Sequence, residues 1–120
     1  MALKRVTLKQ VRNVVQQRQP FTTSTDNLWA TSYHDGVDVR YVVYSYTADW
    51  PLFVYAEANG QWFENADRYS ITTSKHRSKS HPLCDTIQLP VEAMRLLAYK
   101  GYRELAKARL TNDPCLQVWQ

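Results

Sequence analysis

Val37-Asp38-Val39-Arg40-Tyr41-Val42-Val43-Tyr44-Ser45-Tyr46 decides the fold. Val39, Tyr41, Val43 and Ser45 alternate with Arg40, Val42, Tyr44 and Tyr46, the period of two that a β-strand imposes. Both sets are largely apolar or aromatic near Val42 and Val43, so the spacing predicts a central strand covered on both faces. Reading outward, Asn27–Tyr33 forms a strand before it and His34-Asp35-Gly36 the intervening turn. On the other side, Thr47-Ala48-Asp49-Trp50-Pro51 turns the chain into a strand at Leu52–Ala56. Ala58-Asn59-Gly60 makes a hairpin turn, because Asn-Gly accepts positive φ at little cost. Gln61–Glu64 returns, Asn65-Ala66-Asp67 turns again, and Tyr69–Thr73 reads as the last strand. Short strands joined by tight turns are antiparallel.

Helices flank this sheet. Thr7-Leu8-Lys9-Gln10 has the form of a capping box, and Leu8, Val11, Val14 and Val15 follow helical spacing, which predicts a helix over 7–18 stopped by Pro20. Pro90 opens a second helix over 90–110, with Met94, Leu97, Ala98, Gly101, Tyr102, Leu105 and Ala108 on one face. Gly101 on that face implies a close approach to the sheet or to the first helix. Residues 111–120 are expected to dock as a tail through Leu116, Val118 and Trp119. The fold class is therefore α+β: one domain over 1–120, holding an antiparallel meander of four or five strands at 27–73. An N-terminal helix and a long C-terminal helix pack on it, and 74–89 is a basic loop.

At 120 residues the chain is long enough to bury a core without staples. No apolar run reaches the ~18 residues of a membrane span, and from its polar amphipathic start no signal peptide is expected. Cys84 and Cys115 are expected as reduced thiols, and the location as cytoplasmic. Net charge is only +4, but it is unevenly placed. Residues 1–25 carry five basic groups and no acid, and 26–67 carry seven acids against Arg40 alone. The run Tyr69–His81 then holds three fixed cations, two histidines and six Ser or Thr hydroxyls without an acid. Cations and hydroxyls donate to phosphate oxygens with no carboxylate competing. Thr72, Thr73, Ser74, Lys75, His76, Arg77 and Lys79 are thus the candidate phosphate contacts, extended by Arg12 and Arg18 or by Arg103 and Lys107.

Other chemistries fit less well. His76-x4-His81-x2-Cys84 offers three ligands to zinc, but no second close pair accompanies it. Cys84 beside His81 and Asp85 has nucleophile, base and acid types, yet triads are assembled from separate elements and not from neighbours. With no nucleophile elbow, phosphate-binding glycine loop or paired-histidine helix, no enzyme, cofactor or metal is expected. A metal-free nuclease using His76 as general base is the most plausible catalytic form. Tyr41, Tyr44, Tyr46, Trp50, Phe53 and Tyr55 cluster on neighbouring strands, where they either fill the core or stack bases and anchor partners.

Tyr41-Val42-Val43-Tyr44-Ser45-Tyr46, the hairpin with Gly60-x-Trp62, and Tyr69-Ser70-Ile71-Thr72-Thr73-Ser74-Lys75-His76 together resemble a family of small uncharacterised bacteriophage proteins. The likeness covers about residues 27–80 and departs after His76, where Arg77-Ser78-Lys79 is more basic than the family pattern. It implies a phage or prophage origin and no particular biochemistry. The expected role is a non-enzymatic stoichiometric binder, monomer or homodimer, whose partner is nucleic acid and not a membrane. The alternative is a protein-binding inhibitor of a host defence complex, of anti-CRISPR or anti-restriction type. It would present Asp35, Asp38, Asp49, Glu57, Glu64 and Asp67.

Overall fold

The computed structural model describes residues 4–23, 27–35, 38–67 and 71–110, the side chains at 35, 71–74 and 108–110 excepted. Eleven elements follow one another: β1 (Lys4–Val6), α1 (Leu8–Gln16), β2 (Phe21–Thr23), β3 (Leu28–Asp35), β4 (Asp38–Ser45), β5 (Pro51–Ala56), β6 (Gln61–Asn65), α2 (Ile71–Ser80), β7 (Thr86–Leu89), α3 (Val91–Lys100) and α4 (Tyr102–Leu110). The strands form a single seven-stranded sheet in chain order. β2 to β6 pair antiparallel, whereas β1 with β2 and β6 with β7 pair parallel.

This corrects the expected four- or five-stranded antiparallel meander to a mixed sheet. The added strands are three or four residues long, too short to show alternation, and helices that carry the chain over the sheet separate β1 from β2 and β6 from β7. The expected strand at Tyr69–Thr73 is also overturned, since Ile71–Ser80 is the helix α2. The place beside β6 is taken by β7, with Trp62 opposite Thr86 and Asn65 opposite Leu89. Parallel neighbours need a crossover, so the segment between them is helical despite its β-branched residues. The basic segment at 74–89 is accordingly helix, a short connection and β7, not a loop.

The long helix over 90–110 is likewise two helices. Gly101 has φ 100 and ψ 172, which breaks the helical backbone. A Cβ there would meet the Asp38 side chain at 3.0 Å. The close approach is thus to β4, at a conformation only glycine adopts readily. The tail at 111–120 and Cys115 lie outside the described residues.

β1 and β6 point the same way, and both crossovers step in the same direction across the sheet. Crossovers of one hand put both helices on one face. α1 and α2 accordingly share a side, packing on Val6, Phe21, Leu28, Tyr41, Val43, Leu52 and Phe53. α3 and α4 cover Val42, Tyr44, Val54, Ala56, Phe63 and Leu89 on the opposite face. The alternation of β4 sorts its side chains into these two cores. Gln10 Oε1 accepts the Thr7 N–H at 3.0 Å, the return half of the expected capping box. No helix of the described residues is long and apolar enough to cross a membrane.

Candidate nucleic-acid interface

α2 turns its basic sequence in two directions. His76 is 2% exposed, and its Nδ1 lies 2.8 Å from the Ser45 hydroxyl of β4. Arg77 reaches down to β6, where its Nε donates to Glu64 Oε2 at 2.6 Å and its Nη2 closes a second contact to the same oxygen. Glu64 Oε1 accepts from Thr86 Oγ1 of β7 at 2.7 Å. His81 Nε2 stands 3.5 Å from that oxygen, and its Nδ1 accepts the Leu83 N–H at 2.9 Å. In the neutral ring the proton therefore sits on Nε2, towards the carboxylate. These contacts tie α2 to the sheet, with His76 and Arg77 as struts. Lys75, Ser78 and Lys79 are exposed. The side chains of Thr72, Thr73 and Ser74 lie outside the described part of the structure.

Of the possible extensions, Arg12 and Arg18 fall on the α2 side, whereas Arg103 and Lys107 belong to α4 on the other face. Arg12 spans the two basic helices, its Nε donating to His81 O at 3.2 Å and its Nη2 to Ser78 O at 2.7 Å. Gln16 Nε2 donates to Pro82 O at 3.0 Å beside it. A guanidinium on the last carbonyls of a helix satisfies orphan acceptors and suits the negative end of the dipole. Arg40 does the same for α3, donating to Ala98 O at 2.7 Å and Tyr99 O at 2.8 Å. Two arginines that count as surface charge in the sequence thus serve as helix C-terminal caps.

The α1–α2 layer still carries a one-signed field. Its two helices hold Lys9, Arg12, Lys75, Arg77 and Lys79 and no acid. Lys9, Lys75 and Lys79 are exposed, and Lys4 and Arg5 of β1 are exposed next to α1. No acid of the described residues pairs with any of these five. The opposite layer is mixed: Arg95 faces Glu92 at 3.9 Å and Lys107 faces Glu104 at 3.5 Å.

The six acids of the alternative reading are not brought together. Asp38 and Glu57 lie at the end of the sheet where β4 starts and β5 finishes, and Asp35 closes β3 at that same end. Asp49 and Asp67 lie at the other end, and Glu64 is buried under Arg77. Asp67 Oδ2 also accepts the Val91 N–H at 2.8 Å, so it caps α3. The side chain of Asp35 is outside the described part.

Catalytic and metal candidates are dispersed as well. Partial burial, and then the Asp85 carboxylate, raise the Cys84 thiol above its ordinary pKa, the opposite of an activated nucleophile. Among the described residues no group of three or more His, Cys, Asp and Glu side chains is placed to hold a metal. Of the clustered aromatics, Tyr41, Tyr44 and Phe53 are buried, Trp50 and Tyr55 half-buried, and Tyr46 exposed.

Lys9, Lys4 and Arg5 count in the sequence among the five basic groups of residues 1–25, but not among the named phosphate contacts. Their absence of neighbouring acids was visible, but the side-by-side placement of α1 and α2 depends on crossovers that local patterns do not record. No family model, curated protein or solved structure matches the chain.

Proposed function

We propose that this protein is a non-enzymatic binder of nucleic acid that lays its α1–α2 face on the phosphate backbone. One observation carries the reading: both helices of that layer are basic and acid-free, and Lys9, Lys75 and Lys79 extend from it without partners among the described residues. Phosphate contacts are the expected use of such a field, because each cation that meets a phosphate releases a condensed counterion. Lys4 and Arg5 widen the footprint at the sheet edge. Ser78 adds an exposed hydroxyl donor between Arg77 and Lys79. His76 and Arg77 contribute indirectly by fixing α2 on the sheet. The likeness to small bacteriophage proteins makes a phage or prophage accessory role in the host cytoplasm the natural setting. Inhibition of a host defence complex through acidic turns has less support, because those acids are split between the two ends of the sheet.

The test is direct binding of the full chain to labelled duplex and single-stranded DNA and RNA at low salt. Binding that weakens steeply as salt is added supports the proposal. No binding to any of the four at low salt overturns it.

A further inference from the structure

Beside the basic layer, at the C-terminal end of α1, strands β3, β4 and β5 run on past the helix and leave a cleft of about 320 Å³. Ser32, His34, Tyr55 and Glu57 line it from the sheet, and Gln17 and Arg18 from the end of α1. The size is at the lower end of small-ligand sites. Arg18 has φ 55, a left-handed conformation at the helix end where glycine is usual. Its N–H donates to Val15 O at 2.9 Å, and Gln19 N–H to Val14 O at 2.9 Å, the paired bonds of a Schellman turn that ends α1. Tyr41 Oη donates to Gln19 O at 2.8 Å and pins this turn to the sheet. The turn holds the Arg18 guanidinium 4.5 Å from the centroid of the Tyr55 ring.

Four side chains of the cleft are uncommitted. Among the described residues, the guanidinium of Arg18, the hydroxyl of Ser32, the imidazole of His34 and the carboxylate of Glu57 have no hydrogen-bond partner. Arg18 and Arg40 both line the cleft with Glu57, but Arg40 is committed to the Ala98 and Tyr99 carbonyls, which leaves Arg18 and the Glu57 carboxylate as the charges open to a ligand. A phosphate entering it would meet Glu57 as a like charge. A flat heteroaromatic ring with donors and acceptors on its edge meets no such penalty. It can stack on Tyr55 or the Arg18 plane, give an amino hydrogen to Glu57, and accept from Arg18. Glutamate accepting from the cytosine amino group and arginine donating to guanine are established pairings.

We propose that the cleft takes one unpaired nucleobase carrying both an amino group and a carbonyl oxygen on its edge, cytosine or guanine, next to the phosphate-binding face. The inference rests on the nucleic-acid reading for the class of ligand, but its test does not use phosphate. Uncharged nucleosides are titrated into the full chain: cytidine, guanosine and uridine, followed by the amide resonances of Gln17, His34, Tyr55 and Glu57. Cytidine or guanosine should shift these resonances saturably and bind about tenfold more tightly than uridine, which lacks the amino group. Glu57→Gln, an exposed turn substitution, should erase that preference, and Tyr55→Leu should abolish binding. Equal response to all three nucleosides, or no saturable shift at these residues, overturns the inference. Polyanion binding without a nucleoside response removes the base site and leaves the phosphate face standing. A nucleoside response without polyanion binding does the reverse.

Discussion

The two helical layers cover one sheet but handle charge in opposite ways. On the α3–α4 side, Glu92 sits with Arg95 and Glu104 with Lys107, so acids and cations share that surface. On the α1–α2 side neither helix carries an acid: Glu64 in the sheet beneath neutralises Arg77, and among the described residues no acid pairs with Lys9, Lys75 or Lys79. Exposed ion pairs add little to stability. The difference between the layers therefore has small consequences for folding and large ones for what the surface attracts. Inside the basic layer the same contrast recurs, with Arg12 and Arg77 turned to scaffolding and Lys75 and Lys79 to solvent.

Arg77→Ala should produce the largest change, by leaving the Glu64 carboxylate buried without its cation. We expect a loss of about 3–5 kcal/mol in chemical denaturation, and Arg77→Gln with Glu64→Gln should recover most of it. If Arg77→Ala left stability intact, the strut role would fail and Arg77 would return to the list of phosphate contacts. Arg12→Ala is next, since it strips charge-assisted bonds from two carbonyls at the end of α2. A cost of about 2 kcal/mol is expected, with hydrogen exchange accelerating at 76–82 before the rest of the chain. Uniform acceleration would show that Arg12 does not link the two helices specifically.

Gly101→Ala addresses the other layer. The φ of 100 and the 3.0 Å approach of Asp38 predict about 1–3 kcal/mol of destabilisation. An unchanged midpoint would mean that α3 and α4 tolerate a continuous helix. A milder effect concerns the two cores. Burial raises the Tyr41 phenol well above its ordinary value of 10.0, and burial followed by the Tyr33 hydrogen bond does the same to Tyr44. Each fold-favoured phenol is neutral, so its contribution is complete below about pH 10 and is lost as pH rises beyond it. The alkaline decline in melting temperature should be shallower in Tyr41→Phe than in the parent. An equally steep decline would assign the effect elsewhere.

The central strands were legible because alternation is a local property. Tyr41 and Val43 against Val42 and Tyr44 reveal a two-faced strand within six residues. The helix at Leu8–Gln16 was legible for the same reason, through its capping box and valine spacing. β1, β2 and β7 were not, because three or four residues carry no period and their pairing depends on distant partners. Ile71-Thr72-Thr73 carries local β preference and became helix because β7 occupies the edge of β6. Gly101 announced a special position, but only the Asp38 contact shows that it ends a helix. For the site, the acid-free charge run at 69–81 was visible, whereas the sorting of its cations was not. Glu64 lies more than a dozen residues away and reads as a turn acid until β6 and α2 are stacked.

The decisive measurement is the salt dependence of nucleic-acid binding in two matched triple variants. One is Lys9→Ala, Lys75→Ala and Lys79→Ala, and the other is Lys100→Ala, Arg103→Ala and Lys107→Ala. Both remove three positive charges from exposed positions, so both should fold to within about 0.5 kcal/mol of the parent. The first should lower the slope of log K against log salt by up to about 0.9 per lost phosphate contact on duplex DNA, and the second should leave it unchanged. Equal slopes in the two variants would contradict the assignment of binding to the α1–α2 face.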